Sequence, residues 1–140
     1  MRSFLLLLSC SFLLAACGGT KQLELSSLSQ TPCKNEAQIE SGVNFSGETV
    51  EGLRAHRLGD DLYVSMAVRT FCSARITFIA EKKGNQIKLF LKNSPAVKGS
   101  CVCTTYVSTS LRNIEPGDYN IIIMNEKGDR LLASSEVTID

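Results

Sequence analysis

From Leu62 onward the chain alternates. Leu62, Val64, Met66 and Val68 are apolar, and Tyr63, Ser65, Ala67 and Arg69 fall between them. A period of two lays one apolar face along a strand, so residues 62–72 are predicted as the first clear strand, with Cys72 on the apolar side. Residues 75–80 and 86–92 repeat the pattern, with Ile87, Leu89 and Leu91 set against Lys88, Phe90 and Lys92. Between them Glu81-Lys82-Lys83-Gly84-Asn85 is a hairpin signal, because glycine takes positive φ freely. Residues 101–111 place Cys101, Cys103, Thr105, Val107 and Leu111 on one side. Residues 119–124 and 130–139 follow, separated by Asn125-Glu126-Lys127-Gly128-Asp129. Earlier, residues 35–40 suit a short helical turn and residues 46–58 have weaker strand character. Residues 93–100, with Pro95 and Gly99, read as a loop. Short strands, frequent turns and almost no helix predict an all-β sandwich.

The first residues follow a different rule. Met1-Arg2 is succeeded by an apolar run broken only by Ser9, Cys10 and Ser11. This is the layout of a secretory signal, shorter than the ~20 apolar residues of a membrane-spanning helix. The run ends in Leu14-Ala15-Ala16-Cys17, which resembles the lipobox of bacterial lipoproteins. The resemblance implies cleavage before Cys17 and a diacylglyceryl group on its sulfur, with fatty acids such as palmitate. Gly18 in place of Asp implies sorting to the outer membrane. Two or more acyl chains anchor stably where one does not. Residues 1–16 are then the signal peptide and residues 17–32, rich in Gly, Ser, Thr and Gln, a lipidated tether. That tether would reach about 20 Å when flexible and about 50 Å when extended. Residues 33–140 form the predicted folded domain.

Composition sharpens the picture. The leader carries Arg2 and no acid, so of 15 basic and 14 acidic side chains the mature chain keeps 14 of each. That balance argues against nucleic acid as a partner. The charge is unevenly spread: residues 69–98 hold seven Lys and Arg against Glu81 alone. Lys82, Lys83, Lys88 and Lys92, with Phe90, make the hairpin a candidate surface for an anionic envelope component or a protein partner. The plainer reading is a solvated strand face whose lysines guard a sheet edge. With Cys17 taken by lipid, Cys33, Cys72, Cys101 and Cys103 remain. An even number in an exported chain predicts two disulfides.

The segment Leu111-x-x-Ile114-x-Pro116-Gly117-x-Tyr119-x-Ile121-x-Ile123 resembles the corner of immunoglobulin-like and fibronectin-like domains. There a Tyr near the start of a strand bonds back to the backbone, the role that falls to Tyr119. The resemblance implies an immunoglobulin-like Greek-key sandwich. The same corner occurs in transthyretin-like modules, which stay open as the alternative. The chain also resembles a loose group of small bacterial lipoproteins with a Cys-x-Cys strand before this corner, a group that implies no activity. In a Greek-key sandwich the end of strand 62–72 lies near the start of strand 101–111. Cys72 is then expected to bond one of Cys101 and Cys103, and Cys33 the other.

No set of residues spells out catalysis, a cofactor or a metal loop. His56 is the sole histidine, and a triad with Asp60 or Asp61 would need a serine that nothing in the spacing places. Glu36 with Glu40, and Asp60 and Asp61 with Asp118 or Asp129, fit neither a glycosidase pair nor a calcium loop. The expectation is a membrane-anchored envelope lipoprotein acting as a non-enzymatic binding or accessory module. The alternative is an envelope thiol-redox or metal-binding protein using Cys101 and Cys103.

Overall fold

A computed structural model describes residues 19–38, 47–94 and 101–140. The expected signal peptide, the lipobox-like Leu14-Ala15-Ala16-Cys17 and most of the segment expected to be a loop, residues 95–100, lie outside the described residues. The described residues form ten strands and no helix: β1 (Lys21–Leu23), β2 (Leu25–Gln30), β3 (Lys34–Gln38), β4 (Thr49–Leu58), β5 (Asp61–Phe71), β6 (Arg75–Lys83), β7 (Gln86–Ser94), β8 (Cys101–Leu111), β9 (Gly117–Asn125) and β10 (Leu131–Ile139). Sheet A has the order β1-β6-β7-β9-β10; sheet B has β2-β8-β5-β4, with β3 also paired to β8. The described residues are therefore all-β, in two sheets.

The alternation places the core. Leu62, Val64, Met66 and Val68 of β5, with Val107 and Leu111 of β8, are buried on the inner face of sheet B. Ile76, Phe78, Ala80, Ile87, Leu89, Leu91, Ile121 and Ile123 are buried opposite them, from β6, β7 and β9 of sheet A. Each large side chain so buried contributes about 1.5–3 kcal/mol. Three fully buried threonines interrupt this core and are satisfied. Thr105 Oγ1 donates to the Thr31 carbonyl at 2.6 Å, Thr109 Oγ1 donates to the Ser27 carbonyl at 2.7 Å, and Thr70 Oγ1 accepts from Asn93 at 3.3 Å. A buried hydroxyl without a partner would be costly, so the first two bonds fix how β2 and the residues after it lie against β8.

Tight turns set the hairpin registers. Lys83 pairs with Gln86 across Gly84-Asn85, and Gly84 has φ 58°, which a residue with a Cβ adopts only at a cost. β4 and β5 are joined the same way across Gly59-Asp60. All strand pairs are antiparallel except β7 with β9, which run parallel from Gln86↔Asn120 to Leu91↔Asn125. The intervening β8 belongs to the other sheet, which makes this parallel return possible.

The tether expectation is corrected in part. Residues 21–30 are not a free linker: β1 pairs with β6 (Lys21↔Lys82, Leu23↔Ala80), and β2 pairs with β8. Leu23 is buried against the core. A single residue, Glu24, separates the two strands, so the chain steps from the edge of sheet A to the edge of sheet B and closes that side of the sandwich. Such edge strands are held by backbone pairing, which leaves little trace in side-chain patterning. Residues 34–38 are likewise strand β3, not a helical turn, because they pair with the first half of β8. At the other margin, Arg57 donates to the Asp140 carbonyl and Arg130 Nη2 donates to the Glu48 carbonyl at 3.1 Å, tying β10 to β4.

Candidate functional site

The four cysteines meet at one end of the sandwich. Cys33 is bonded to Cys103 and Cys72 to Cys101, each with a Cα–Cα distance of 5.6 Å. The structure thus decides the pairing that spacing left open. Cys103 points into the core and is fully buried, whereas Cys101, two residues earlier, is half-buried where β5 ends. The amide of Cys72 donates to the Cys101 carbonyl at 3.0 Å, extending the β5–β8 ladder to the disulfide. The sulfurs of Cys33, Cys72 and Cys103 lie within 4.8 Å of one another.

At the opposite end stands Tyr119. Its hydroxyl donates to the Glu115 carbonyl at 2.9 Å, four residues back along the chain. Lys82 extends its ammonium over the same ring, 5.1 Å from the centroid. This divides the basic residues of the hairpin. Lys83, Lys88, Phe90 and Lys92 occupy the outward positions of β6 and β7, while Lys82 alternates to the other side. Lys92 pairs with Glu126 at 3.7 Å, and Lys88 stands opposite Glu81. The hairpin is therefore less uniformly basic than its sequence.

The remaining candidates are dispersed. His56 sits opposite Tyr63 with ring centroids 5.1 Å apart. Asp60 pairs with Arg57 at 3.9 Å, and Asp61 accepts from Ser26 at 2.7 Å. Asp118 accepts from Thr138 at 2.7 Å, and Asp129 accepts from Asn125 at 2.6 Å. These carboxylates face separate partners and converge on no common point. Glu40 lies outside the described residues.

A different site emerges on the outer face of sheet B, where a shallow groove of about 700 Å³ crosses β2, β8, β5 and β4. Register explains its shape. Ser108 of β8 stands opposite Ser65 of β5, which stands opposite Arg54 of β4. The short side chains of Ser108 and Ser65 form the floor with the neighbouring Ala67, and Arg54 stands at the β4 side. Tyr106, opposite Ala67, and Tyr63, opposite Ser110, rise on either side. On β4 the register shifts between Glu51 and Arg54, at Gly52 with φ 61°. A bulge of this kind bends the strand and opens that flank. Tyr106 is 54% exposed, so its ring is open to solvent at the edge of the groove. The outward set Tyr63, Ser65, Ala67 and Arg69 is readable from the alternation of β5. Its neighbours on β8, β4 and β2 are not, because they depend on long-range register.

Compared with protein-family models, curated proteins and solved structures, the chain matches none.

Proposed function

We propose that the protein is a lipid-anchored envelope lipoprotein that works as a non-enzymatic binding module, anchored through Cys17 at the outer membrane. The groove on sheet B carries the binding half of this reading. Its floor of Ser65, Ala67 and Ser108 leaves room for a chain to lie across the strands, and its hydroxyls both donate and accept. Tyr63 and Tyr106 offer broad apolar faces with a polar tip. A glycan strand, with apolar ring faces and hydroxyl edges, has the matching chemistry. Leu14-Ala15-Ala16-Cys17 supports the anchor. Co-sedimentation of the purified acylated protein with isolated peptidoglycan tests the groove. Binding should be lost in Tyr63→Ala/Tyr106→Ala and retained in Lys127→Ala, whose residue lies in the β9–β10 turn. Failure of the native protein to sediment, or equal binding by the tyrosine variant, overturns the glycan reading.

The sandwich sub-fold bears on ancestry rather than on the site. Immunoglobulin-type sheets are antiparallel, so the parallel β7–β9 pairing favours the transthyretin-like alternative. A second functional reading rests on the clustered sulfurs. If a dithiol reductant supplied two electrons to each disulfide, the thiols of Cys33, Cys72 and Cys103 would stand within 4.8 Å of one another, close enough to share a soft cation such as zinc, which favours thiolate ligands. Zinc retained by the reduced, folded protein after dialysis would support it; unfolding on reduction without zinc uptake would remove it.

A further inference from the structure

The outer face of sheet A carries an apolar row that the sequence does not display. Ile79 of β6 stands opposite Phe90 of β7, Phe90 opposite Met124 of β9, and Met124 opposite Leu131 of β10. Ile122 adjoins the row beside Lys88. Four strands spaced ~4.8 Å apart make this a continuous band about 14 Å across. Ile79 is 37% and Leu131 59% exposed, although charged or polar residues would suit a solvated sheet face. Bands of this kind, rimmed by polar groups, mark interaction surfaces. The rim here is basic on the β6–β7 half: Arg75, Lys83 and Lys88 against Glu81, with Lys92 paired to Glu126. Asp118 and Glu136 stand apart, on β9 and β10 near the corner of Tyr119.

The path of the chain supplies the occupant. β1, the edge strand of sheet A, begins at Lys21 and pairs directly with β6. Cys17 is four residues earlier, so its Cα lies at most ~14 Å from that of Lys21, whatever path the intervening residues take. This is no more than the width of the apolar row. A domain attached so close to its own sheet edge does not stand clear of the headgroups.

We propose that the outer face of sheet A docks on the bilayer that holds the anchor, with Ile79, Phe90 and Leu131 against the interface and Lys83 and Lys88 among anionic headgroups. The docking rests on the proposed anchor at Cys17. It also leaves sheet B, with its groove, facing away from the membrane.

The protein contains no tryptophan, so single tryptophans report position without background. Acylated full-length-processed protein carrying Leu131→Trp, or Arg69→Trp on the exposed face of sheet B, is reconstituted into phosphatidylethanolamine–phosphatidylglycerol vesicles with brominated acyl chains. Emission from Leu131→Trp should be quenched and blue-shifted, and emission from Arg69→Trp should not. Adding Lys83→Glu and Lys88→Glu should relieve the quenching at Leu131→Trp while the protein still floats with the vesicles. A floating, acylated protein with no difference between the two positions overturns the docking and spares the anchor. A chain without acyl mass that stays in solution overturns the anchor and the docking together. A dimer in detergent whose Leu131→Trp is already shielded assigns this face to a second copy and overturns the docking.

Discussion

Opening the disulfides singly gives a test in which the connectivity, and not only the number of bonds, sets the outcome. A cross-link stabilises chiefly by shrinking the unfolded ensemble, by an amount that grows with the loop it closes. Cys72–Cys101 closes a separation of 29 residues and, alone, would contribute ~3.6 kcal/mol. Cys33–Cys103 spans 70 residues and, alone, would contribute ~4.4 kcal/mol. The two loops are not independent. With Cys72–Cys101 in place, the shortest circuit through Cys33–Cys103 runs over the 39 residues to Cys72 and the two from Cys101 to Cys103. That circuit of about 41 residues makes the second bond worth ~3.9 kcal/mol. Closing the thermodynamic cycle, loss of Cys72–Cys101 from the doubly bonded protein costs ~3.1 kcal/mol, and loss of both bonds ~7.5 kcal/mol. The expected order is therefore Cys72→Ala/Cys101→Ala mildest, Cys33→Ala/Cys103→Ala next, and the fourfold variant at the edge of folding, since whole domains are stable by only about 5–15 kcal/mol. Equilibrium urea unfolding under non-reducing conditions, followed by circular dichroism, reads all four proteins. A loss below ~1 kcal/mol for either pair, or a costlier Cys72–Cys101 pair, would refute the loop-closure reasoning.

Three further outcomes follow from particular contacts. Leu23→Ala should cost ~2 kcal/mol in urea unfolding, because Leu23 is buried on β1; no change would restore the reading of this segment as a linker. Tyr119→Phe should lower stability by ~1 kcal/mol through loss of the bond to the Glu115 carbonyl, and an unchanged urea midpoint would show that the corner contributes nothing. Gly84→Val should cost ~1–2 kcal/mol at φ 58°, measured the same way, whereas Asn85→Ser beside it should be close to neutral.

Much of this architecture was open to reading because local and tertiary preferences coincide. In β5, β6, β7 and β9 apolar residues recur at every second position through the middle of each strand, so burying one face of a sheet selects both the strand and its inward side. Gly84 and Gly59 announce their turns by needing only their own backbone. Tyr119 bonds a carbonyl four residues away, which keeps its corner within a local segment. Four cysteines remaining after Cys17 announced two disulfides.

The rest depends on which distant segments lie side by side. β1, β2 and β3 are built from residues such as Lys-Gln-Leu and Leu-Ser-Ser-Leu-Ser-Gln. They become strands because β6 and β8 present backbone edges to them, and because Thr109 reaches the Ser27 carbonyl of β2 and Thr105 the Thr31 carbonyl just beyond it. Cys101 and Cys103 are equivalent by spacing; the depth of Cys103 in the core and the ladder ending at Cys72 distinguish them. Ile79, Phe90, Met124 and Leu131 are separated by up to 52 positions along the chain, from 79 to 131, and nothing in the sequence links them. Only the registers of three strand pairs, one of them parallel, bring them into a row. The groove between Tyr63 and Tyr106 arises in the same way. Period-two alternation specifies which side of a strand a residue faces, but a surface needs neighbours, and neighbours are chosen by pairing across the whole chain.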